Sequence, residues 1–215
     1  MWAKLNSDKD TIEEIIVNTK GMTVDGITHP KTLFTLWTVA ERKAIGIVPV
    51  TTTGTHLDTA YYIEADPTYA IASDKNSVVR TIGEKTADKA LADVNDVDAD
   101  NNAIVDDHDN QTVTLGLKSV AKNLANAVAD EHINGFGWLV QRKVTHDTDI
   151  PSDILTYIAA VRTAHASICT AIDNASDMAA FIALHNNVYN DNGTLKTVAK
   201  VNDWPDDYAV TGNRR

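Results

Sequence analysis

Histidine, cysteine and carboxylate side chains are the residues of this chain that could carry out catalysis or bind a metal. The seven histidines are scattered, and no two have the i, i+4 spacing by which a helix presents a pair of zinc ligands. The HExxH, GxSxG, GxxxxGK and GxGxxG motifs are absent. An active site would have to be assembled from distant residues, so we predict no enzymatic activity and no cofactor.

An acidic segment, residues 93–110, is the best candidate for binding an ion, because it holds seven aspartates. Oxygen-bearing residues recur in it with the spacing of a calcium-binding loop, in which Ile104 would supply its carbonyl. Ala103 occupies the position where that loop turns on glycine. The alternative is a hydrated acidic turn without an ion. The candidate calcium ligands are Asp98, Asp100, Asn102, Asp106 and Asp109.

Two other reactive side chains have structural explanations. His165 lies in an apolar helical seam, where it either forms a hydrogen bond in the core or, if several chains meet there, senses pH. Cys169 is the single cysteine, which excludes an internal disulfide and a cysteine-rich zinc site and is compatible with a reducing cytoplasm. Neither residue predicts chemistry by itself.

Charge and hydropathy exclude two classes of partner. The 215 residues carry a formal net charge of -11, which repels nucleic-acid phosphates and anionic lipids. No apolar run approaches the roughly 18 residues of a membrane span, and the first residues lack the apolar region of a signal peptide. We therefore predict synthesis in the cytoplasm and no contact with nucleic acid or membrane.

The elements that would position these residues divide the chain into three predicted regions. In residues 1–50, Asp25-Gly26 predicts a hairpin, and Thr38 with Glu41 predicts a capped short helix ended by Gly46. A strand follows over residues 47–50, which Pro49 predicts to be an edge strand. Residues 51–110 predict a small β meander followed by the acidic segment, with one or two helical turns over residues 87–94.

Residues 111–215 change to alanine-rich helical periodicity. The spacing predicts one apolar helix face at Leu117, Val120, Leu124 and Val128. A second helix begins at Pro151 and a third is capped by Ser176, while residues 136–143 pack against the first two helices. The predicted fold class is α+β, with a β-rich N-terminal module followed by a C-terminal helical hairpin or three-helix portion.

Two ordered sets of short motifs give the chain a resemblance to a known class of proteins. The first set covers residues 24–30, Phe34, Trp37-Thr38 and residues 41–50. The second covers residues 138–143, Ile150-Pro151, Tyr157, residues 160–162 and Asp203-Trp204-Pro205. Together they resemble tail-associated proteins of tailed bacteriophages, including tail-fibre assembly and tail-assembly proteins, over about two thirds of the chain.

The resemblance implies a structural protein of the virion tail, such as a neck, baseplate or fibre-attachment adaptor, that acts without catalysis. Its partners would be other tail or fibre proteins and further copies of itself in a symmetric assembly. One alternative is a tail-fibre assembly chaperone that leaves before the virion is complete. Another is a tail-associated glycan hydrolase, which would need a pair of carboxylates in a groove.

Three aromatic residues are the predicted interface anchors. Phe34 and Trp37 would dock the N-terminal module, residues 1–50, and Trp138 would anchor the helical module, residues 111–215. The alternative is that all three close the core of their own domain.

Overall fold

The computed structural model describes residues 1–208. It divides the chain into two compact units, the first spanning Met1–Asp88 and the second beginning at Lys89. Both strands and helices are present, so the chain belongs to the α+β class. A strand crosses the predicted boundary at residue 50, and residues 209–215 of the predicted helical module lie outside the described residues.

The first unit is built mainly of strands. Two short helices interrupt them, α1 (Leu33–Leu36) and α2 (Val39–Ala44). The strands are β1 (Trp2–Leu5), β2 (Ile12–Ile16), β3 (Met22–Val24), β4 (Ile27–His29), β5 (Ile47–Thr53), β6 (Tyr62–Glu64), β7 (Thr68–Ile71), β8 (Val78–Thr81) and β9 (Lys85–Asp88). Five of them form one sheet in the order β2-β1-β5-β8-β7, in which only β5 and β8 run parallel. The remaining four form the antiparallel pairs β3/β4 and β6/β9.

Local sequence signals are confirmed at the β3/β4 hairpin and at α2. Asp25 and Gly26 have φ values of 47° and 80°, the left-handed pair of a type I′ turn. The Thr38 hydroxyl accepts a hydrogen bond from Glu41 N, and the Glu41 carboxylate accepts one from Thr38 N at 2.7 Å. Gly46 follows α2 with φ 78°, where a Cβ would lie 2.9 Å from the Leu5 carbonyl oxygen.

The prediction that Pro49 marks an edge strand is wrong, because β5 lies between β1 and β8. Pro49 faces Trp2 in the β1 ladder, and the neighbouring Val50 N donates to Met1 O at 3.2 Å. The nitrogen of Pro49 therefore points away from β1, since alternate residues of a strand direct their N–H groups to opposite sides. Pairing with β8 begins only at Val50, so the missing donor leaves no ladder bond unmade.

The core of the first unit lies on both faces of this sheet. One cluster joins β2, β3 and α1 to the start of β5, and Trp2, Trp37 and Ile45 pack against it. Its buried members are Ile16, Met22, Val24, Leu33, Phe34 and Ile47. The other cluster consists of Ala3, Leu5, Val48 and Val78. Alternation along β1 and β5 explains the two clusters, because successive side chains of a strand point to opposite faces.

The second unit is mainly helical. Its helices are α3 (Leu117–Asn134), α4 (Gly137–His146), α5 (Ser152–Asn174) and α6 (Met178–Ala183), followed by a 3-10 helix at Lys200–Asn202. Two hairpins accompany them, β10 (Val94–Asn95) with β11 (Val113–Thr114) and β12 (Val188–Tyr189) with β13 (Leu195–Thr197). Helices α3 and α5 pack against each other, and Val161, Ile168 and Ile172 of the predicted α5 seam are buried.

Three predictions for this unit and the segment before it need correction. Residues 137–143 belong to a helix, α4, so residues 89–208 contain four α-helices and not three. Asp177, not Ser176, caps α6, with its carboxylate accepting from Ala180 N at 2.8 Å. Residues 87–94 contain no helical turn, because β9 ends at Asp88.

The predicted apolar face of α3 does not face the core of the second unit. Val120 is 52% exposed and Leu124 is 66% exposed, whereas Ala125 and Ala129 are buried. Alanines allow the α3 backbone to approach α5 closely, and this rotates the larger side chains away from the core. The leucine and valine spacing identified an apolar stripe correctly, but the structure leaves its centre on the surface.

Candidate interaction surfaces

Phe34 of the first unit lies in the core. It is only 9% exposed, and its ring lies 6.2 Å from that of Trp2. The buried Arg42 guanidinium donates to the carbonyl oxygens of Leu33 and Phe34 and covers the Trp2 ring at 4.1 Å. A side chain from α2 thus satisfies the carbonyls of the first two residues of α1, which is too short to bond them itself. The structure therefore favours the alternative that Phe34 closes the core of its own unit.

Trp37 has an intermediate position at the junction of α1 and α2. It packs against the core cluster on one side, and its ring meets that of His29 edge-on at 5.2 Å. The neighbouring Leu36 is 77% exposed. The surface of the first unit near the predicted anchor is thus formed by Leu36 and the accessible part of Trp37.

Trp138 is the most exposed of the three predicted anchors. It is 56% exposed on α4, with the Arg142 guanidinium 5.0 Å from the ring centre. Val140 and Val144 of the same helix are also exposed, while Leu139 is buried. One side of α4 therefore holds the helix in place, and the other presents an aromatic and two aliphatic side chains to solvent.

The acidic segment folds into two similar turns eight residues apart. The Asp98 carboxylate accepts from the backbone N of Asp100 and Asn102, and the Asp106 carboxylate accepts from the backbone N of His108 and Asn110. Hydrogen bonds from Asn102 N and Asn110 N lower the pKa of Asp98 and Asp106 respectively.

The candidate calcium ligands therefore do not lie in a single loop. Asp98, Asp100 and Asn102 belong to the first turn, whereas Asp106 and Asp109 belong to the second. Among residues 1–208, no group of three or more His, Cys, Asp or Glu side chains is arranged to hold a metal ion. The two central carboxylates already accept several N–H groups from their own turns.

A ring of hydrogen bonds joins the two turns to the β10/β11 hairpin. Ile104 N donates to Asp96 O, Thr112 N donates to Ile104 O, and Asp96 N donates to Thr112 O, at 2.8 to 3.0 Å. The Gln111 side-chain amide points at the same three carbonyl oxygens, at 2.6, 3.3 and 3.5 Å. The eight-residue spacing of Asp96, Ile104 and Thr112 is a signal that the sequence analysis missed. We name residues 93–114 the β arm.

His165, Cys169 and Asn126 lie close together between α3 and α5, but they do not form a catalytic relay. His165 Nε2 is 2.7 Å from Asn126 Oδ1 and 3.4 Å from Cys169 Sγ. A relay needs one imidazole nitrogen for the nucleophile and the other for the orienting group. Here the same nitrogen meets both, and burial raises the pKa of the Cys169 thiol. The arrangement matches the hydrogen-bonded histidine of the sequence analysis.

Several carboxyl groups with a lowered pKa accept hydrogen bonds from backbone N–H groups. Glu64 accepts from Leu57 N, Gly83 N and His56 Nδ1, and its pKa is lowered first by the Leu57 N–H. Asp93 accepts from Gly116 N at 2.7 Å, and this bond to the start of α3 lowers its pKa. Every Asp and Glu of residues 1–208 with a displaced pKa has it lowered, whereas a glycosidase acid needs a raised pKa.

Trp204 and Tyr208 belong to an aromatic cluster that the sequence analysis did not identify. The Trp204 ring stacks on His132 at 5.6 Å, and His132 Nδ1 lies 2.7 Å from the Tyr157 hydroxyl. Tyr208 packs edge-on against Phe136 at 5.5 Å and donates to the Asp153 carboxylate. Trp204 therefore has a packing role, and its partners are too distant in the sequence for spacing to reveal them.

Exposed apolar side chains are distributed unequally between the two units. Of the 22 large apolar residues that are exposed among residues 1–208, six lie in the first unit and sixteen in the second. Most of those of the second unit lie on the β arm, on one side of α3, on α4 and on the β12/β13 hairpin, and the others are Leu115, Leu155 of α5 and Val198. The second unit thus offers several apolar surfaces to other proteins.

The chain was compared with known proteins at the level of sequence families, individual proteins and folds. No protein-family model, curated protein or solved structure matches it. Among residues 1–208, no helix is long and apolar enough to cross a membrane. The functional interpretation therefore depends on the residues, surfaces and contacts described above.

Proposed function

We propose that the protein is a structural component of a bacteriophage tail, at the neck, baseplate or fibre attachment, and that it acts by protein–protein contacts without catalysis. The observation that supports this proposal is the concentration of sixteen exposed large apolar side chains in the second unit. Protein surfaces that bind partners expose contiguous apolar area, which is costly to leave in water. The tail itself is inferred from the sequence motifs.

An adaptor of this kind binds by buried area and by repetition. A standard interface buries on the order of 1,600 Å², and a symmetric assembly multiplies contacts that are individually weak. Trp138 is the proposed anchor on the second unit, because aromatic side chains dominate interface energies and this one is already exposed. Leu36 and the accessible part of Trp37 are the corresponding surface on the first unit.

Quantitative mass spectrometry of purified virions tests the proposal. We expect peptides of this chain at a fixed ratio to the major capsid protein in finished particles. Peptides found only in assembly intermediates would support the chaperone alternative. Absence from both finished and unfinished particles would contradict a tail role altogether.

A Trp138→Ala variant tests the proposed anchor. We expect it to remain folded, because the side chain is exposed, and to be incorporated into particles at least about tenfold less efficiently than the wild type. Leu155→Ala is the matched control, since Leu155 is a half-exposed apolar residue on a different helix of the same unit. Equal incorporation of the Trp138→Ala variant and the wild type would remove Trp138 from the interface.

A further inference from the structure

We infer that the exposed stripe of α3 is the contact between two copies of this chain, with the two α3 helices antiparallel across a twofold axis at Leu124. The inference rests on the proposed homo-oligomeric tail function. We define the α3 stripe as Leu117, Val120, Leu124 and Val128. Their spacing of three, four and four residues places them along one side of the helix, as in a helix–helix seam.

The α3 stripe combines a protruding side chain with a cavity that can receive one. Leu124 is 66% exposed, and it borders an apolar cavity of about 100 Å³. Val128 of the stripe and Val201 of the 3-10 helix line the same cavity. A surface that carries both a knob and a hole is self-complementary, which is the requirement for a contact between identical copies across a twofold axis.

Charge favours a second copy on this surface. The chain has a net charge of -11, so two copies repel each other wherever their carboxylates meet. Residues 117–129 contain no Asp or Glu. Their only charged residues are Lys118, whose Nζ donates to the backbone carbonyl of Asp173 at 2.9 Å, and Lys122, which pairs with the Asp173 carboxylate at 2.8 Å. Two α3 stripes can therefore meet without opposing like charges.

The area of the contact is sufficient for a weak dimer. The 18 residues of α3 form a helix about 27 Å long. The stripe covers 12 of these residues, so contact along the whole of α3 is needed to approach the roughly 1,000 Å² of the smallest specific interfaces. We therefore expect a dissociation constant on the order of 10 µM, which a symmetric tail assembly would strengthen.

Analytical ultracentrifugation of the full chain over a concentration series tests the contact. We expect a monomer–dimer equilibrium for the wild type and at least a hundredfold weaker association for Leu124→Glu, which would bury two unpaired carboxylates at the axis. Leu155→Glu is the control and should dimerise within about twofold of the wild type, because Leu155 is also exposed but lies outside the stripe. Circular dichroism establishes that both variants are folded.

Disulfide trapping tests the geometry. In a Cys169→Ala background, Leu124→Cys should form a covalent dimer, since a residue on a twofold axis meets its own copy. Val120→Cys and Val128→Cys, each alone, should not crosslink, but a mixture of these two variants should, because the antiparallel arrangement places them opposite each other. A monomer at all concentrations, or crosslinking of Val120→Cys alone, would overturn the proposed contact.

These outcomes are separable from those of the tail proposal. A dimer that Leu124→Glu does not weaken would show that copies meet through another surface and would overturn the assignment to the α3 stripe. Capture of another tail protein at Leu124→Cys, with no self-crosslink, would also overturn it. Detection of the chain in virions by mass spectrometry would be unaffected in either case.

Discussion

Both units bury large apolar residues, but among residues 1–208 the first unit exposes six large apolar side chains and the second exposes sixteen. In the first unit, Leu33, Ile47 and Val78 are fully buried between the sheet and α1 or in the sheet itself. In α3 of the second unit, the buried residues are Ala125 and Ala129. This difference in exposure is the basis of our proposal that neighbouring proteins cover the surfaces of the second unit.

The largest expected effect is the loss of a buried leucine in the first unit. Leu33→Ala should lower the free energy of unfolding by about 3 kcal/mol, because it leaves a cavity in a filled core. Leu36→Ala, in the same helix, should change it by less than about 0.5 kcal/mol, because Leu36 is exposed. Urea denaturation measures both. The comparison fails if Leu124→Ala in the second unit is as costly as Leu33→Ala under conditions where the chain is monomeric.

The buried arginine of the first unit should have the next largest effect. Arg42→Met should cost about 2 kcal/mol, because the carbonyls of Leu33 and Phe34 lose their hydrogen-bond donor. Arg162→Met in the second unit is the control. Within residues 1–208, Arg162 is exposed and forms no hydrogen bond or ion pair, so thermal denaturation should show almost no change. An equal loss of stability in the two variants would contradict a specific role for Arg42.

Helix caps should act alike in the two units, because they depend on local contacts. Thr38→Ala removes the cap of α2 and should cost about 1 kcal/mol. Asp177→Ala removes the cap of α6 and should lower stability to a similar degree. Thr35→Ala, whose hydroxyl bonds only to the preceding turn, is the control for loss of a threonine side chain. A cap effect confined to one unit, measured by urea denaturation, would contradict this expectation.

The smallest effect concerns acid pH and the β arm. Asp98 and Asp106 have pKa values below the usual 3.8 in the folded chain, chiefly because of backbone N–H donors in their turns. Their stabilising contribution is therefore complete above about pH 4 and is lost as the pH falls through the lowered pKa. NMR should show the amides of Asn102 and Asn110 changing in this range, before the sheet of the first unit. Asp98→Asn should abolish the change at Asn102 and preserve it at Asn110.

Local signals in the sequence predicted local structure well. The Asp25-Gly26 turn and the Thr38–Glu41 capping box each need only neighbouring residues, and both are present. The α4 helix was not predicted, because Phe136 at its N-cap offers no side-chain hydrogen bond that would mark a start. The sequence thus indicates elements whose ends are capped locally and misses those that tertiary packing stabilises.

Predictions that depended on distant residues were less successful. The predicted calcium loop took no account of the β-bridges Val97–Ala103 and Val105–Gln111, which separate the candidate ligands into two turns. The apolar face of α3 was predicted without its surroundings, because periodicity shows that a face exists but not which neighbour covers it. The interface role of Trp138 stays a prediction, since exposure alone does not identify a partner.

Pro49 also limits how the sheet can be misassembled. If β8 slid two residues toward the beginning of β5, its ladder would include Pro49, and a carbonyl of β8 would lose its donor in the interior of the sheet. A residue that resembles a defect in a central strand therefore penalises this misfolded register, and a Pro49→Val variant should refold with a larger fraction of non-native pairing between β5 and β8.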